Sequence, residues 1–175
     1  MTGQERLLGP TMPNYLMGNT HKKYIVGDDS GLLVLSKYPI QFVKEIILDK
    51  GVLPDNLANK SILYFKVGNL NMVNTHLQSS NMNQVEYIAC GQIELLVKEA
   101  PFTQFLICGD LNTNLAYRYA GEPKNNNVPT WNQDILDYIL VKHYSNILVT
   151  PEVSTRSIKD VTDHYALSSK IKYLD

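Results

Sequence analysis

Three things are scarce in this 175-residue sequence, and each scarcity closes off a class of protein. Long apolar runs are missing, and none approaches the roughly 20 residues that cross a bilayer as a helix. The opening residues, MTGQERLLGP, lack the basic start and apolar middle of a secretory leader. The expectation is a soluble chain with no transmembrane segment, cytoplasmic or peripheral to a membrane, its location otherwise open. Surplus charge is missing too, since the formal net charge is -1. Gripping a nucleic-acid backbone generally takes a basic surplus, because neutralising phosphates drives that binding. A nucleic-acid partner is therefore disfavoured, although a local basic patch can survive in a neutral total. Cysteine is the third scarcity. Cys90 and Cys108 both sit in apolar stretches, too few for a disulfide framework and expected as buried free thiols.

What is present suits a single domain, 1–175, with a real core: 44% of residues are apolar and 19% charged. Short apolar runs predict strands at Leu32–Leu35, Ile62–Val67, Leu70–Asn74, Phe105–Cys108, Ile135–Val141, Asn146–Val149 and Tyr165–Ile171. From Asn83 to Glu99 the apolar positions Val85, Ile88, Ala89, Ile93, Leu96 and Val97 recur at three- and four-residue steps, which predicts a helix closed by Pro101. Gly121 to Pro129, with Asn125, Asn126 and Asn127 between two prolines, reads as a surface loop. Strands with one strong helix among them predict a layered α/β protein, sheets inside and helices outside.

Chemistry-bearing residues fall where apolar strands end, the place where such folds collect their sites. Phe105–Cys108 runs into Gly109, then Asp110 and Asn112, two apart and on one side of an extended chain. A carboxylate there can hold a metal or an attacking water, and an amide can donate to a phosphoryl oxygen. A polar turn after a strand fits equally. A second strand turns polar at Asn74, His76 and Gln78, although a lone histidine is more often structural. In the third, Asp163 and His164 are adjacent and would face opposite ways in a strand, so His164 needs another carboxylate to fix its tautomer. Asp137, an acid inside the apolar run Ile135–Val141, is the candidate, because an unpaired charge there would be costly. A solvated acid on an edge strand remains the plain alternative. His21 and His143 lie beside lysines and read as solvated, and Trp131 reads as packing near the site rather than as a lipid anchor. Hard oxygen ligands, phosphate-directed donors and a histidine–aspartate pair form a kit suited to metal-assisted hydrolysis of a phosphate ester.

These residues resemble those of the endonuclease/exonuclease/phosphatase superfamily. Gly31–Ile40 is similar to its strand ending in Leu-Ser-Lys-x-Pro-Ile, and Asn74–Gln78, Gly109–Asn112, Thr130-Trp131, Leu136–Tyr138 and Thr162–His164 follow in the family's order. Asp55 and Lys60 ahead of a strand, Cys90-Gly91-Gln92 on the helix and, more weakly, Arg6–Gly9 resemble its neutral sphingomyelinase branch. The resemblance implies a layered α/β/β/α sandwich and a magnesium- or manganese-dependent phosphodiesterase acting on a phospholipid head group at a membrane surface, sphingomyelin for preference. It implies that Asp110 and Asn112 position water and phosphoryl group. His164 acts as general acid or base, oriented by Asp137. His76 donates to the phosphate, while Lys60, held or released by Asp55, and Asn74 contact substrate. Asp110 and Asp163 lie at the metal.

The family's first strands, which carry a metal-binding asparagine and a Gln-Glu whose glutamate is a principal magnesium ligand, are not visible. Gln4-Glu5 has the letters without the strand, so Glu5 is a metal candidate only by default. Ser61 replaces the glycine that often follows the lysine. The expected fold is therefore N-terminally incomplete. A fragment of a longer protein, a partner chain supplying the missing strands, and an inactive interaction module are the competing accounts, with a nuclease of the same superfamily as the rival enzyme.

Overall fold

A computed structural model describes residues 11–18, 30–49, 51–53, 55–79, 86–123, 128–153 and 162–174. Gln4, Glu5, Arg6–Gly9, His21, Val85 and the three asparagines at 125–127 lie outside the described residues. In chain order the elements are β1 (Asn14–Met17), β2 (Leu33–Ser36), β3 (Ile40–Ile47), a 3-10 turn (Asp55–Leu57), β4 (Ser61–Val67), β5 (Leu70–His76), α1 (Glu86–Lys98), β6 (Phe105–Asp110), α2 (Ala116–Ala120), β7 (Glu122–Pro123), β8 (Asp137–Lys142), β9 (Ile147–Val153) and β10 (Leu167–Tyr173).

Six strands form one mixed sheet in the order β3-β4-β5-β6-β8-β7, with β5 and β6 parallel and every other neighbouring pair antiparallel. The parallel pair follows from its connection: α1 runs back along the sheet between β5 and β6, as a parallel crossover requires. The apolar stripe of α1 does what its spacing predicts. Ala89, Ile93 and Leu96 are fully buried, and Ile93 and Leu96 pack with Ile62 and Tyr64 of β4, Val73 of β5, Ile107 of β6 and Leu140 of β8. The one polar atom Tyr64 brings into this layer, its hydroxyl, donates to the Leu96 carbonyl at 2.7 Å, so its burial leaves nothing unpaired.

The opposite face of the sheet is covered by two separate antiparallel ribbons. β1–β2 packs through Leu16, Leu32 and Val34 on Leu63 and Phe65; β9–β10 packs through Ile147, Val149 and Ile171 on Leu106 and Val141. Among the described residues the layers are therefore helix, sheet and a ribbon layer, an α/β sandwich whose second β layer is in two pieces. Of the stretch expected as a loop, Glu122 and Pro123 instead pair with β8 as β7, and residues 124–127 lie outside the described residues. Both thiols are free, Cys90 buried on α1 and Cys108 partly buried on β6. Gly109 has a structural reason: at φ +149° a Cβ there would lie 2.0 Å from the Thr75 carbonyl oxygen, so only glycine lets β6 close on β5.

Candidate active site

Pairing register builds the site. His76 closes β5 opposite Asp110, which closes β6, and Asp110 lies opposite Asp137, which opens β8. Laterally paired residues emerge on the same face, so one imidazole and two carboxylates stand in a row at one end of the sheet. Like charges set directly opposite each other destabilise a sheet. Burial first, and then Asp137, pushes the Asp110 carboxyl up to about 6, although the Asn112 backbone N–H donates to it at 2.9 Å.

His164 relieves part of that conflict. Its Nδ1 lies 2.7 Å from Asp137 Oδ2, across 27 residues of sequence. An ionised carboxylate only accepts, so Nδ1 carries the proton and Nε2 is left free. Burial works to lower the His164 pKa, but the hydrogen bond and charge of Asp137, with Asp110 and Asp163 behind them, hold it above its ordinary value. Asp110, Asp137 and His164 offer ligand atoms all within 4.8 Å of one another. His164 and Asp137 also line a pocket of about 400 Å³ with Cys108, Ile139, Thr162 and Tyr165.

The other sequence candidates take definite places around this group. His76 Nε2 lies 3.6 Å from Asp110 Oδ2, too far for a hydrogen bond. Burial and then the charge of Lys60 push His76 down to about 4, so at neutral pH it is an uncharged imidazole. Lys60 is buried, its Nζ 3.1 Å from Asp55 Oδ1, and Asp55 is itself held by the Ser79 N–H at 2.8 Å. Asn74 lies one step back along β5, half-buried and in register with Cys108. Asp163 is exposed and accepts the Trp131 indole N–H at 2.9 Å, which lowers its pKa. It stands outside the three-residue group, and Glu5 lies outside the described residues.

Two local expectations fail for one reason, the end of the strands. β6 stops at Asp110 and Asn112 adopts φ +51°, so the extended geometry that would put Asp110 and Asn112 on one side does not continue. Asn112 is buried and its Nδ2 donates to the Leu77 carbonyl at 2.9 Å, tying the two strand-end loops together. β5 likewise stops at His76, and Gln78 turns inward, its N–H on Gln92 Oε1. Sequence reasoning also gave Thr130 no task. Its hydroxyl accepts from the N–H groups of both Leu136 and Asp137, a contact that no periodicity announces.

The donor set fits a hard divalent cation. Two carboxylates crowd one end of a sheet with the His164 imidazole beside them, and magnesium is typically held by one or two carboxylates plus substrate phosphate. Among the described residues no helix is long and apolar enough to cross a membrane.

No family model matches the sequence. The chain is 31% identical over 104 residues to sphingomyelinase C from Bacillus cereus, a match covering 50% of this chain but only 30% of that relative's length. In structure it is similar to beta toxin from Staphylococcus aureus, with TM-score 0.68, 18% identity, and coverage of 95% of this chain and 80% of the toxin. A form of that toxin with bound magnesium ions gives TM-score 0.66 at 17% identity, covering 96% and 80% of the two chains. Sphingomyelinase C from Streptomyces griseocarneus gives 0.60 at 18% identity, covering 99% and 81%. The chain thus shares the fold of beta toxin and of the Streptomyces sphingomyelinase C, and half of its sequence is similar to a segment spanning less than a third of the Bacillus sphingomyelinase C.

Proposed function

We propose that this chain is a magnesium-dependent phosphodiesterase that cleaves a phospholipid head group, sphingomyelin to ceramide and phosphocholine. The observation that carries the reading is the 2.7 Å contact between His164 and Asp137 with Asp110 beside it, at a strand-end row lining a pocket. The sphingomyelinase relatives and the magnesium bound in beta toxin support the substrate and the metal.

In this reading His164, its tautomer set by Asp137, presents Nε2 as general base to the attacking water or as acid to the leaving ceramide oxygen. A new bond forms from the water oxygen to phosphorus, the bond from phosphorus to the ceramide oxygen breaks, and the proton lost by water ends on ceramide. His76, uncharged at neutral pH, donates to a phosphoryl oxygen. Lys60 reaches the phosphate when Asp55 lets it go, and Asn112 and Asn74 hold the surroundings of Asp110 and the substrate. A magnesium ion held by Asp110, with Asp163 as the further candidate ligand, would neutralise charge developing on the phosphoryl oxygens. The ceramide tails must stay in lipid during this step, so the working partner is a membrane surface.

Incubation of the folded chain with sphingomyelin vesicles and magnesium tests the proposal by release of phosphocholine. Release that stops with chelator is expected. No release from folded protein sinks the reading, and nicking of plasmid DNA in its place makes the chain a nuclease.

A further inference from the structure

We propose that Thr130 is a positioning residue for the His164–Asp137 pair, a buried point to which the backbone of Asp137 and that of Tyr165, next to His164, are both tied. The inference rests on the activity proposed above and adds a residue to it.

His164 and Asp137 come from segments that share no ladder. Asp137 opens β8 in the six-stranded sheet, and His164 lies in the bend before β10, whose only strand partner among the described residues is β9. Pairing within the sheet therefore fixes Asp137 in one direction and leaves the imidazole unplaced. Thr130 supplies the link. It is completely buried, and its Oγ1 accepts from Leu136 N and from Asp137 N, both at 3.0 Å. Its carbonyl accepts from Tyr165 N, next to His164, at 2.7 Å. Its own N–H donates to the Asp134 carbonyl at 2.9 Å, and Trp131 N does the same at 3.1 Å, which closes a tight turn and stiffens the support. The following side chain reaches the same place from outside, since the Trp131 indole holds Asp163, the residue before His164.

One residue thus accepts three N–H groups, from the backbone of one pair member, from its neighbour and from the residue beside the other member. The hydroxyl uses both of its lone pairs in doing so. A valine would keep the shape and orphan two backbone donors, whereas a serine would keep the oxygen. Displacing a reacting group by about 1 Å can cost on the order of 10²-fold in rate, and loosening this turn acts on the separation of imidazole and carboxylate directly.

The test compares Thr130→Val and Thr130→Ser in the full chain by two readouts. The first is the downfield proton resonance of the His164 Nδ1–H, assigned by its absence in His164→Ala. The second is kcat and KM for magnesium-dependent phosphocholine release. Thr130→Val should lose the resonance and about 10²-fold in kcat with KM little changed, because substrate binding is not what the turn holds. Thr130→Ser should keep the resonance and most of kcat. Retention of both in Thr130→Val overturns the proposal. So does equal loss in Thr130→Ser, or a Thr130→Val chain that no longer folds while Thr130→Ser gains nothing over it. The resonance needs no turnover. A chain that never releases phosphocholine yet loses the signal in the valine variant and keeps it in the serine variant retains the placement and sinks the activity.

Discussion

Two acid–base pairs stand near the same strand ends and are built on opposite plans. Asp55 and Lys60 are five residues apart, and the lysine is almost wholly buried, 5% exposed against 21% for the acid. Asp137 and His164 come from distant segments and are about equally exposed, 24% and 25%. A lysine taken out of water must keep its partner or pay for an uncompensated charge, whereas an imidazole can give up its proton and stay. The first pair therefore ties the geometry of the strand ends to fold stability. The second can be altered with the fold left standing, which suits the proton-handling role proposed for it.

Removing the imidazole should show the larger effect. His164→Ala is expected to lower phosphocholine release by about 10²–10⁴-fold, the usual share of a general acid or base, with a fall in melting temperature smaller than that of Asp55→Ala, since only part of the Asp110–Asp137 repulsion is uncovered. A large fall in melting temperature would erase the contrast. Next comes Asp55→Ala, which leaves the Lys60 ammonium buried. Breaking a fully buried pair costs about 3–5 kcal/mol, and about 2–3 kcal/mol is expected here because Asp55 is partly solvated, read from denaturant unfolding. Adding Lys60→Met to that variant should recover most of the loss, since neither charge then remains buried; failure to recover would mean that Asp55 acts through the Ser79 N–H instead. Smallest is Lys44→Ala. Lys44 and Glu99 make a 2.8 Å pair with both side chains 39% exposed, and its loss should leave melting and activity unresolved from the parent chain.

The fold was legible where burial is two-sided. The Ile62–Val67 run predicts β4, whose first five residues, from Ser61, are all buried, and the helical stripe predicts α1, whose described core positions are Ala89, Ile93 and Leu96. β3 escapes the same reading although it is eight residues long. Among the described residues it is an edge strand, with a bulge between Phe42 and Lys44, so Phe42 and Ile47 are exposed while Lys44 and Glu45 are half-buried, and no alternation survives. α2 and β1, at five and four residues, are too short to show a period. Within the site, Asp137 is reachable from sequence because a charge in an apolar run asks for a partner. Asn112 is misread because the left-handed turn after Asp110 is a backbone event that the side chains do not advertise.

By itself the amino-acid order determined which residues can carry charge, metal and protons, and which runs must be covered on both faces, because those are properties of side chains and their spacing. Only the tertiary structure decided that Asp110 and Asp137 lie opposite each other, that His164 reaches across 27 residues to the second of them, and that Thr130 holds both segments. Strand register and long-range hydrogen bonds join positions that have no local relation. They are set by how the whole sheet closes, and no window of sequence contains that.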